Sequence, residues 1–274
     1  MRNSRILLSL ILLAGCSTLP SFEDRQAHAD VLAAEHYWRA ERFAAGCFEL
    51  AAYLPRQVTP AKMLTIYIEG DGFAWVNGAL PSDDPTPRDP LALRLALAQP
   101  EGNVAYLARP CQYVDAEKTH CPERYWTDAR FAPEVIAATN QAVDALKVRF
   151  DARRLTLVGF SGGAAVAALV AAQRDDGARL VTVAGNLDHH AWTAHHRVEP
   201  LRASMNAADV ASTLAPLPQT HFIGEEDKIV PPELARRWPT QISGNGATNL
   251  HIIADADHHC CWVQQWPTLF QSIK

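Results

Sequence analysis

Residues 154–173 read RLTLVGFSGGAAVAALVAAQ, and this stretch decides the fold. Its beginning, Arg154–Val158, is a short apolar run that predicts a β-strand. GFSGG follows at 159–163, and the alanine-rich Ala164–Gln173 is typical of a helix. A serine between glycines at a strand-to-helix turn fits the G-x-S-x-G pattern, in which a strained turn exposes the hydroxyl. Ser161 is therefore the candidate nucleophile, and the alternative is a glycine-rich turn of structural value only.

The rest of the chain alternates predicted strands with predicted helices. The predicted strands are Phe48–Leu54, Lys62–Glu69, Asn103–Ala108, Leu180–Ala184, His221–Ile223 and Leu250–Ala254. The predicted helices cover residues 29–42, 91–98 and 128–150, and a further one opens at Pro231. This alternation indicates an α/β fold, with a mostly parallel sheet flanked by helices on both faces. We expect a tether and N-terminal helix over 16–42, then one domain over 43–274 with a short cap segment near 188–218.

The first residues have the pattern of an export signal. Arg2 and Arg5 precede the apolar stretch Ile6–Ala14, which is much shorter than the ~20 residues that a membrane-spanning helix needs. Small residues lead into Cys16, as in a bacterial lipoprotein signal, so we expect removal of residues 1–15 and lipidation of Cys16. The protein is then exported and lipid-anchored to a bacterial membrane, facing the periplasm. The alternative is a simple secretory signal with an incidental cysteine.

Charge and cysteine content narrow the function classes. Nucleic-acid binding needs a concentrated basic face, and the net charge of −5 gives no electrostatic argument for one. Nucleic acid is therefore not an expected partner. In an oxidising compartment disulfides persist, and Cys111 and Cys121 enclose a short loop that makes them the simplest pair. At least one of the five cysteines after Cys16 stays free, and the other pairings are open. Without a CxxC pair, zinc is not expected.

A serine hydroxyl needs a base, and the base needs an acid to orient it. Asp227 lies in the loop after the strand His221–Ile223, at the edge of a parallel sheet where catalytic loops gather. His258 follows the last predicted strand. Ser161, Asp227 and His258 thus occur in the order serine, acid, histidine. Asp188 remains the alternative acid, and His259 the alternative base.

Other polar clusters have weaker patterns. Four histidines are interpreted as partly exposed loop residues, with a metal site that includes Asp188 as the alternative; they are His189, His190, His195 and His196. An oxyanion requires two backbone donors, one of them the N–H of Gly162 directly after the serine. The second is expected from EGDG at 69–72, from the N–H of either Asp71 or Gly72.

These motifs together resemble the α/β-hydrolase superfamily over about Phe48–Lys274. The resemblance implies that fold and esterase-type chemistry on a small-molecule acyl substrate, without a cofactor. Many relatives carry His-Gly where this sequence has EGDG, so the second oxyanion donor stays open. Peptidase, thioesterase and acyltransferase activities also stay open, as does the oligomeric state. A second hypothesis is a lipid-anchored binding protein that keeps the fold without catalysis.

Overall fold

The computed structural model of the chain describes residues 19–60, 62–115, 119, 121–238 and 247–273. The predicted signal, residues 1–15, and the predicted lipidation site Cys16 lie outside the described residues. Within the described ranges, no helix combines the length and the apolar character that crossing a bilayer requires.

Ten strands are found in the described part of the chain. They are β1 (Trp38–Ala45), β2 (Phe48–Pro55), β3 (Met63–Ile68), β4 (Trp75–Asn77), β5 (Leu80–Pro81), β6 (Asn103–Leu107), β7 (Arg154–Phe160), β8 (Gly177–Val183), β9 (Gln219–Gly224) and β10 (Thr248–Ile253). Eight of them form one sheet in the order β1-β2-β6-β3-β7-β8-β9-β10, and β4 pairs with β5 in a separate hairpin. Neighbours from β6 to β10 are parallel, whereas β2 is antiparallel to β1 and β6. The predicted α/β fold with a mostly parallel sheet is confirmed.

Helices cover both faces of this sheet. They are α1 (Phe22–Glu35), α2 (Leu91–Leu97), α3 (Pro133–Arg149), α4 (Gly162–Ala171), α5 (His189–His196), α6 (Pro232–Ala235) and α7 (Trp262–Gln271). Short 3-10 turns lie at Glu123–Tyr125 and Ala207–Val210. Pro133 begins α3, where its missing N–H costs nothing because the first helical N–H groups have no partner within the helix.

The sheet is buried on both sides because successive strand residues point to opposite faces. In β3, Leu64, Ile66 and Ile68 belong to the apolar cluster that contains the buried residues of α3 and α4. Tyr67 belongs to the opposite cluster, with the buried residues of α1, α2 and α7. This double burial explains why the central strands read as nearly continuous apolar runs.

The N-terminal region differs from the prediction. The helix begins at Phe22, where Ser21 and Asp24 form a capping box, and it ends at Glu35. The following Trp38–Ala45 is a strand that pairs with β2 along its whole length. The predicted helix over 29–42 is therefore misplaced, and the sheet starts before the predicted domain boundary at residue 43.

The predicted cap segment 188–218 has two differently packed parts. In α5 the indole N–H of Trp192 donates to the carbonyl of Ile229, in the loop after β9, at 2.6 Å. Farther along, Ala207, Ala211 and Leu214 are buried in the apolar cluster that contains α4. The second part is therefore a covering layer of the core, whereas α5 contacts the loop after β9 at the carboxyl edge of the sheet.

Candidate active site

Ser161 is the single residue between β7 and α4. Its backbone has φ 51° and ψ −121°, a conformation that non-glycine residues rarely adopt and that stores strain at a turn. The adjoining glycines make this turn possible: a Cβ on Gly159 would lie 2.4 Å from the Cα of Ala164, and one on Gly163 would lie 2.4 Å from the carbonyl oxygen of Ile68. The strand-to-helix turn predicted for Ser161 is present, and the residue is partly exposed.

Ser161, His258 and Asp227 meet at the carboxyl edge of the sheet, and we call these three residues the triad. Nε2 of His258 lies 2.9 Å from Oγ of Ser161, and Nδ1 lies 2.8 Å from Oδ2 of Asp227. An ionised carboxylate only accepts hydrogen bonds, so Nδ1 carries a proton and Nε2 is left as an acceptor facing the serine hydroxyl. This arrangement can take the hydroxyl proton when the serine attacks an electrophile.

The carboxylate of Asp227 and the ring of His258 each make contacts outside the triad. Oδ1 of Asp227 accepts the N–H groups of Ile229 and Val230, both at 2.8 Å, and the residue is only 3% exposed. The ring of His258 packs 5.3 Å from the ring of Phe160, centroid to centroid. These contacts fix the orientation of the imidazole before a substrate arrives.

The alternative acid and base lie elsewhere. Asp188 caps α5, because its Oδ1 accepts the N–H of Ala191 and the amide of Asn206, each at 3.1 Å. His259 is exposed, and its backbone N–H donates to Asp257. The structure therefore brings Asp227 and His258 to Ser161, and it gives Asp188 a capping contact instead.

The four histidines at 189–196 were predicted to lie in a loop. In the structure they lie on α5. His189 is only 1% exposed, whereas the prediction was of partly exposed side chains. Across the described ranges, no group of three or more histidine, cysteine or acidic residues has the arrangement of a metal site.

Gly70, Asp71 and Gly72, which we call the glycine turn, follow β3 on the other side of Ser161. A Cβ on Gly70 would lie 3.3 Å from the Cβ of Ser161, so the turn passes directly beside the serine. Gly72 has φ +66°, and a Cβ there would lie 2.1 Å from the carbonyl oxygen of Pro85. Only glycine fits this close approach with a left-handed backbone.

A buried ion-pair cluster supports the glycine turn. Asp71 accepts from Arg109 at 3.2 Å and from Arg130 at 2.6 Å, and both arginines are almost fully buried. A Cβ on Gly162 would lie 2.1 Å from Oδ1 of Asp71, so this carboxylate packs against the first residue of α4. Burial raises the pKa of Asp71, but attraction to Arg130 and Arg109 outweighs it and lowers the pKa below the ordinary range.

Glu69 is a second buried acid at the start of the glycine turn. Its Oε1 accepts the N–H of Gly70 at 2.9 Å and that of Ala92 at 3.4 Å. Burial raises the pKa of Glu69 to about 7, although these two N–H groups oppose the shift. Glu69 therefore links the glycine turn to the first turn of α2.

Arg109 and Arg130 were not predicted from the sequence as parts of the site. The position of Arg109 could have indicated it, because this charged residue comes one position after the predicted apolar strand Asn103–Ala108, separated from β6 only by Ala108. The position of Arg130 gave no such indication, since it lies in an irregular segment before α3 and meets Asp71 only through the tertiary fold.

Disulfides lie on both sides of Ser161. Cys111 is joined to Cys121, as predicted, and the pair packs near Ala74 and Trp126. A second disulfide joins the adjacent Cys260 and Cys261, directly before α7, and the sequence analysis did not predict it. Among the described cysteines Cys47 is free and exposed, in agreement with the expectation that one cysteine would stay unpaired.

Known structures with the same architecture are found in several microbes. An α/β serine hydrolase homologue from Coxiella burnetii is 16% identical, with a TM-score of 0.58 over 86% of this chain and 95% of that one. Est1E from Butyrivibrio proteoclasticus is 15% identical, with a TM-score of 0.59 over 85% and 98%. An esterase from Pyrococcus furiosus is 13% identical, with a TM-score of 0.59 over 86% and 89%. At these identities the likeness shows a shared α/β-hydrolase fold.

Sequence comparison is more specific about the family. No curated protein matches the chain by sequence. The family described as serine hydrolase (FSH1) matches residues 96–259, which is more than half of the 274 residues. The matched region includes all three residues of the triad, whereas the glycine turn lies before it. By this match and its fold, the chain belongs to the FSH1 family of serine hydrolases, within the α/β-hydrolase superfamily.

Proposed function

We propose that the protein hydrolyses an ester or a related acyl bond through an acyl-enzyme intermediate on Ser161. The observation that carries the proposal is the hydrogen-bonded series from Ser161 through His258 to Asp227, with separations of 2.9 and 2.8 Å. This is the geometry that lets an imidazole activate a hydroxyl near neutral pH.

In the first half of the reaction Oγ of Ser161 bonds to the acyl carbon while Nε2 of His258 takes the hydroxyl proton. The carbonyl electrons move onto oxygen, and the carboxylate of Asp227 stabilises the imidazolium. When the oxyanion collapses, the bond to the leaving group breaks and the leaving oxygen takes the proton from Nε2. Water then repeats the sequence on the acyl-enzyme, releasing the carboxylic acid and restoring Ser161.

The developing oxyanion needs donors that are already in place. Gly162 is the first residue of α4, so its N–H has no acceptor within the helix and is the first donor that we assign. The glycine turn supplies the second donor, from the N–H of Asp71 or Gly72. Its approach to Ser161 at Gly70 supports this assignment. No step in this sequence requires a cofactor.

We also propose that the protein is exported and anchored to a bacterial membrane through a lipid on Cys16. The support is the sequence pattern before Cys16, with two arginines, a short apolar stretch and small residues. Incorporation of labelled palmitate into the full chain, and its loss in Cys16→Ser, tests this part independently of catalysis.

The proposed reaction is tested with a fluorophosphonate probe and a short-chain ester. Labelling should map to Ser161, and Ser161→Ala should lose labelling and reduce kcat on the order of 10⁶-fold. Ser212→Ala, at an exposed serine away from the triad, is the matched control and should keep both. Wild-type turnover by Ser161→Ala, or an unlabelled but folded wild type, contradicts the proposal and favours a binding protein.

A further inference from the structure

The hairpin of β4 and β5 has an unusual surface for an exposed element. Residues 75–80, which we call the hairpin tip, are all exposed, with Trp75 at 39%, Val76 at 40% and Leu80 at 55%. From Gly72 to Ser82 the sequence has no charged residue. Five of the seven tryptophans are buried, so an exposed tryptophan at the tip of a hairpin departs from the pattern of this chain.

The base of the hairpin is fixed, so the apolar tip is held out in a defined place. Ala74 is buried with Cys111 and Trp126, and the Trp126 indole donates to the carbonyl of Ser82 at 3.1 Å. Ser82 in turn donates its hydroxyl to the carbonyl of Phe73. These contacts support the residues on either side of the tip and leave residues 75–80 to the exterior.

The hairpin adjoins the proposed active site. It leaves the glycine turn at Gly72, and Trp75 is three residues farther along the chain. Trp75 thus lies within about 11 Å of the glycine turn, which itself passes beside Ser161. Anything that contacts the hairpin tip is close to the rim of the site.

The start of α1, near the N-terminal end of the described chain, contacts the base of the same hairpin. Arg25, in the first turns of α1, donates to the carbonyls of Asp84 and Thr86 at 3.1 and 2.7 Å, and its guanidinium lies 5.3 Å from the ring centre of Phe73. The start of α1 therefore lies against the base of the hairpin. Leu19, just before it, is 52% exposed.

The predicted lipidation site, Cys16, is near Leu19 in the sequence. Cys16 precedes Leu19 by three positions, a span of at most about 11 Å. A lipid on Cys16 would hold the start of α1, and with it the hairpin, at the surface of the bilayer.

We propose that the hairpin tip and Leu19 together form a lipid-docking surface that inserts into the interfacial layer of the membrane. Tryptophan with aliphatic neighbours suits that layer, because the indole is apolar with one polar donor. The exposed charges around the hairpin base and the start of α1 are mostly acidic, so this region offers no basic patch for anionic lipid and docking depends on apolar contact; they are Glu23, Asp24, Asp83, Arg88 and Asp89. This proposal builds on the proposed function, and it narrows the substrates to acyl esters that partition into the bilayer.

Binding is tested with the full chain carrying Ser161→Ala, so that turnover plays no part. We would add it to phosphatidylcholine vesicles whose acyl chains carry bromine, which quenches nearby indoles. Tryptophan emission should fall, and the fall should disappear in Trp75→Phe. Trp192→Phe, at the other tryptophan that is not buried, should keep it.

Activity is tested with the combined variant Trp75→Ser, Val76→Ser and Leu80→Ser. Hydrolysis of a long-chain ester embedded in vesicles should fall at least about tenfold, while hydrolysis of a soluble short-chain ester should stay within about twofold, because the tip contacts only the bilayer. The matched control replaces three exposed apolar residues elsewhere, Val31, Val148 and Ile252, by serine and should leave both rates unchanged.

Three results would overturn the proposal. They are quenching that persists in Trp75→Phe, absence of quenching while the full chain sediments with the vesicles, and a hairpin-dependent dimer in lipid-free solution. A wild type that is inactive toward both esters but still shows Trp75-dependent quenching would instead refute the proposed function and leave docking in place.

Discussion

The triad and the glycine turn lie on opposite sides of Ser161 and are held in different ways. The triad is positioned by direct contact, since His258 bridges Ser161 and Asp227 with two hydrogen bonds. The glycine turn is positioned by ion pairs, because the buried guanidinium groups of Arg109 and Arg130 contact the carboxylate of Asp71 at 3.2 and 2.6 Å. In the proposed reaction the triad transfers the serine proton, and the glycine turn supplies a backbone donor to the oxyanion.

The boundary of the family match does not coincide with this division. Residues 96–259 include the triad together with Arg109 and Arg130, but not the turn that these arginines support. The arginines of the matched region are thus partners of a glycine turn outside it. We infer that variants in the triad change chemistry with little change in stability, and that variants in the support change stability first.

Among the variants that compare these two sides, Asp227→Asn has the largest expected effect. The amide can no longer hold the imidazole in the tautomer that accepts the serine proton, so kcat for a short-chain ester should fall about 10⁴-fold. Steady-state kinetics measures it, with Asp188→Asn as the control that should stay close to wild type. Equal losses in the two variants would mean that the acid has been misassigned.

Arg130→Met comes next and tests the support of the glycine turn. It removes one partner of a buried ion pair, which typically costs about 3–5 kcal/mol of folding free energy. Urea unfolding measures it. Arg124→Met, at an exposed arginine 3.6 Å from Glu134, should cost less than about 1 kcal/mol. Similar midpoints for the two variants would show that the cluster around Asp71 does not carry this stability.

A smaller effect is expected from opening the disulfide beside the hairpin base. Cys111→Ser with Cys121→Ser releases a loop with a sequence separation of 10, which should cost about 2–3 kcal/mol. Guanidinium unfolding without reductant measures it, and Cys47→Ser should change nothing because that cysteine is free. If the double variant unfolded at the wild-type midpoint, this loop would not contribute to the stability of the glycine-turn side.

The last expected effect is a pH dependence from Glu69. Its folded pKa of about 7 exceeds the ordinary 4.5, so the folded state binds the proton more tightly than the unfolded state. Stability from this group is greatest below pH 4.5 and decreases as the pH rises toward 7, with a slope of up to about 1.4 kcal/mol per pH unit. Glu69→Gln should remove that slope, seen as a smaller difference in Tm between pH 5 and pH 8. An unchanged difference would show that Glu69 is already ionised at pH 5.

The sequence alone predicts the triad side better than the other side. The glycines around Ser161 reflect a local steric need, and loops after successive parallel strands meet at one edge, so Asp227 and His258 could be placed by chain order. Long-range ion pairs produce no periodic pattern, and the partners of Asp71 were therefore not predicted. Their roles, like those of the triad, remain predictions until the variants are measured.

The wrong prediction of a helix over residues 29–42 also has its cause in tertiary contacts. WRAERFAA, at 38–45, consists largely of residues with good helix propensity. Pairing with β2 along all eight positions overrides that weak local preference. Buried and exposed side chains alternate only partly along this strand. The two-residue period that is typical of a strand was therefore weak evidence against a helix.

The order of the triad along the chain also sets when the site can exist. The nucleophile is made first, the acid 66 positions later, and the base 31 positions after the acid, following β10. A polypeptide that has emerged only as far as β9 lacks any imidazole at position 258, however well its sheet has begun to form. On the proposed mechanism, chains that end before position 258 lack the base, and the site is complete only once the segment after β10, the last parallel strand, is in place.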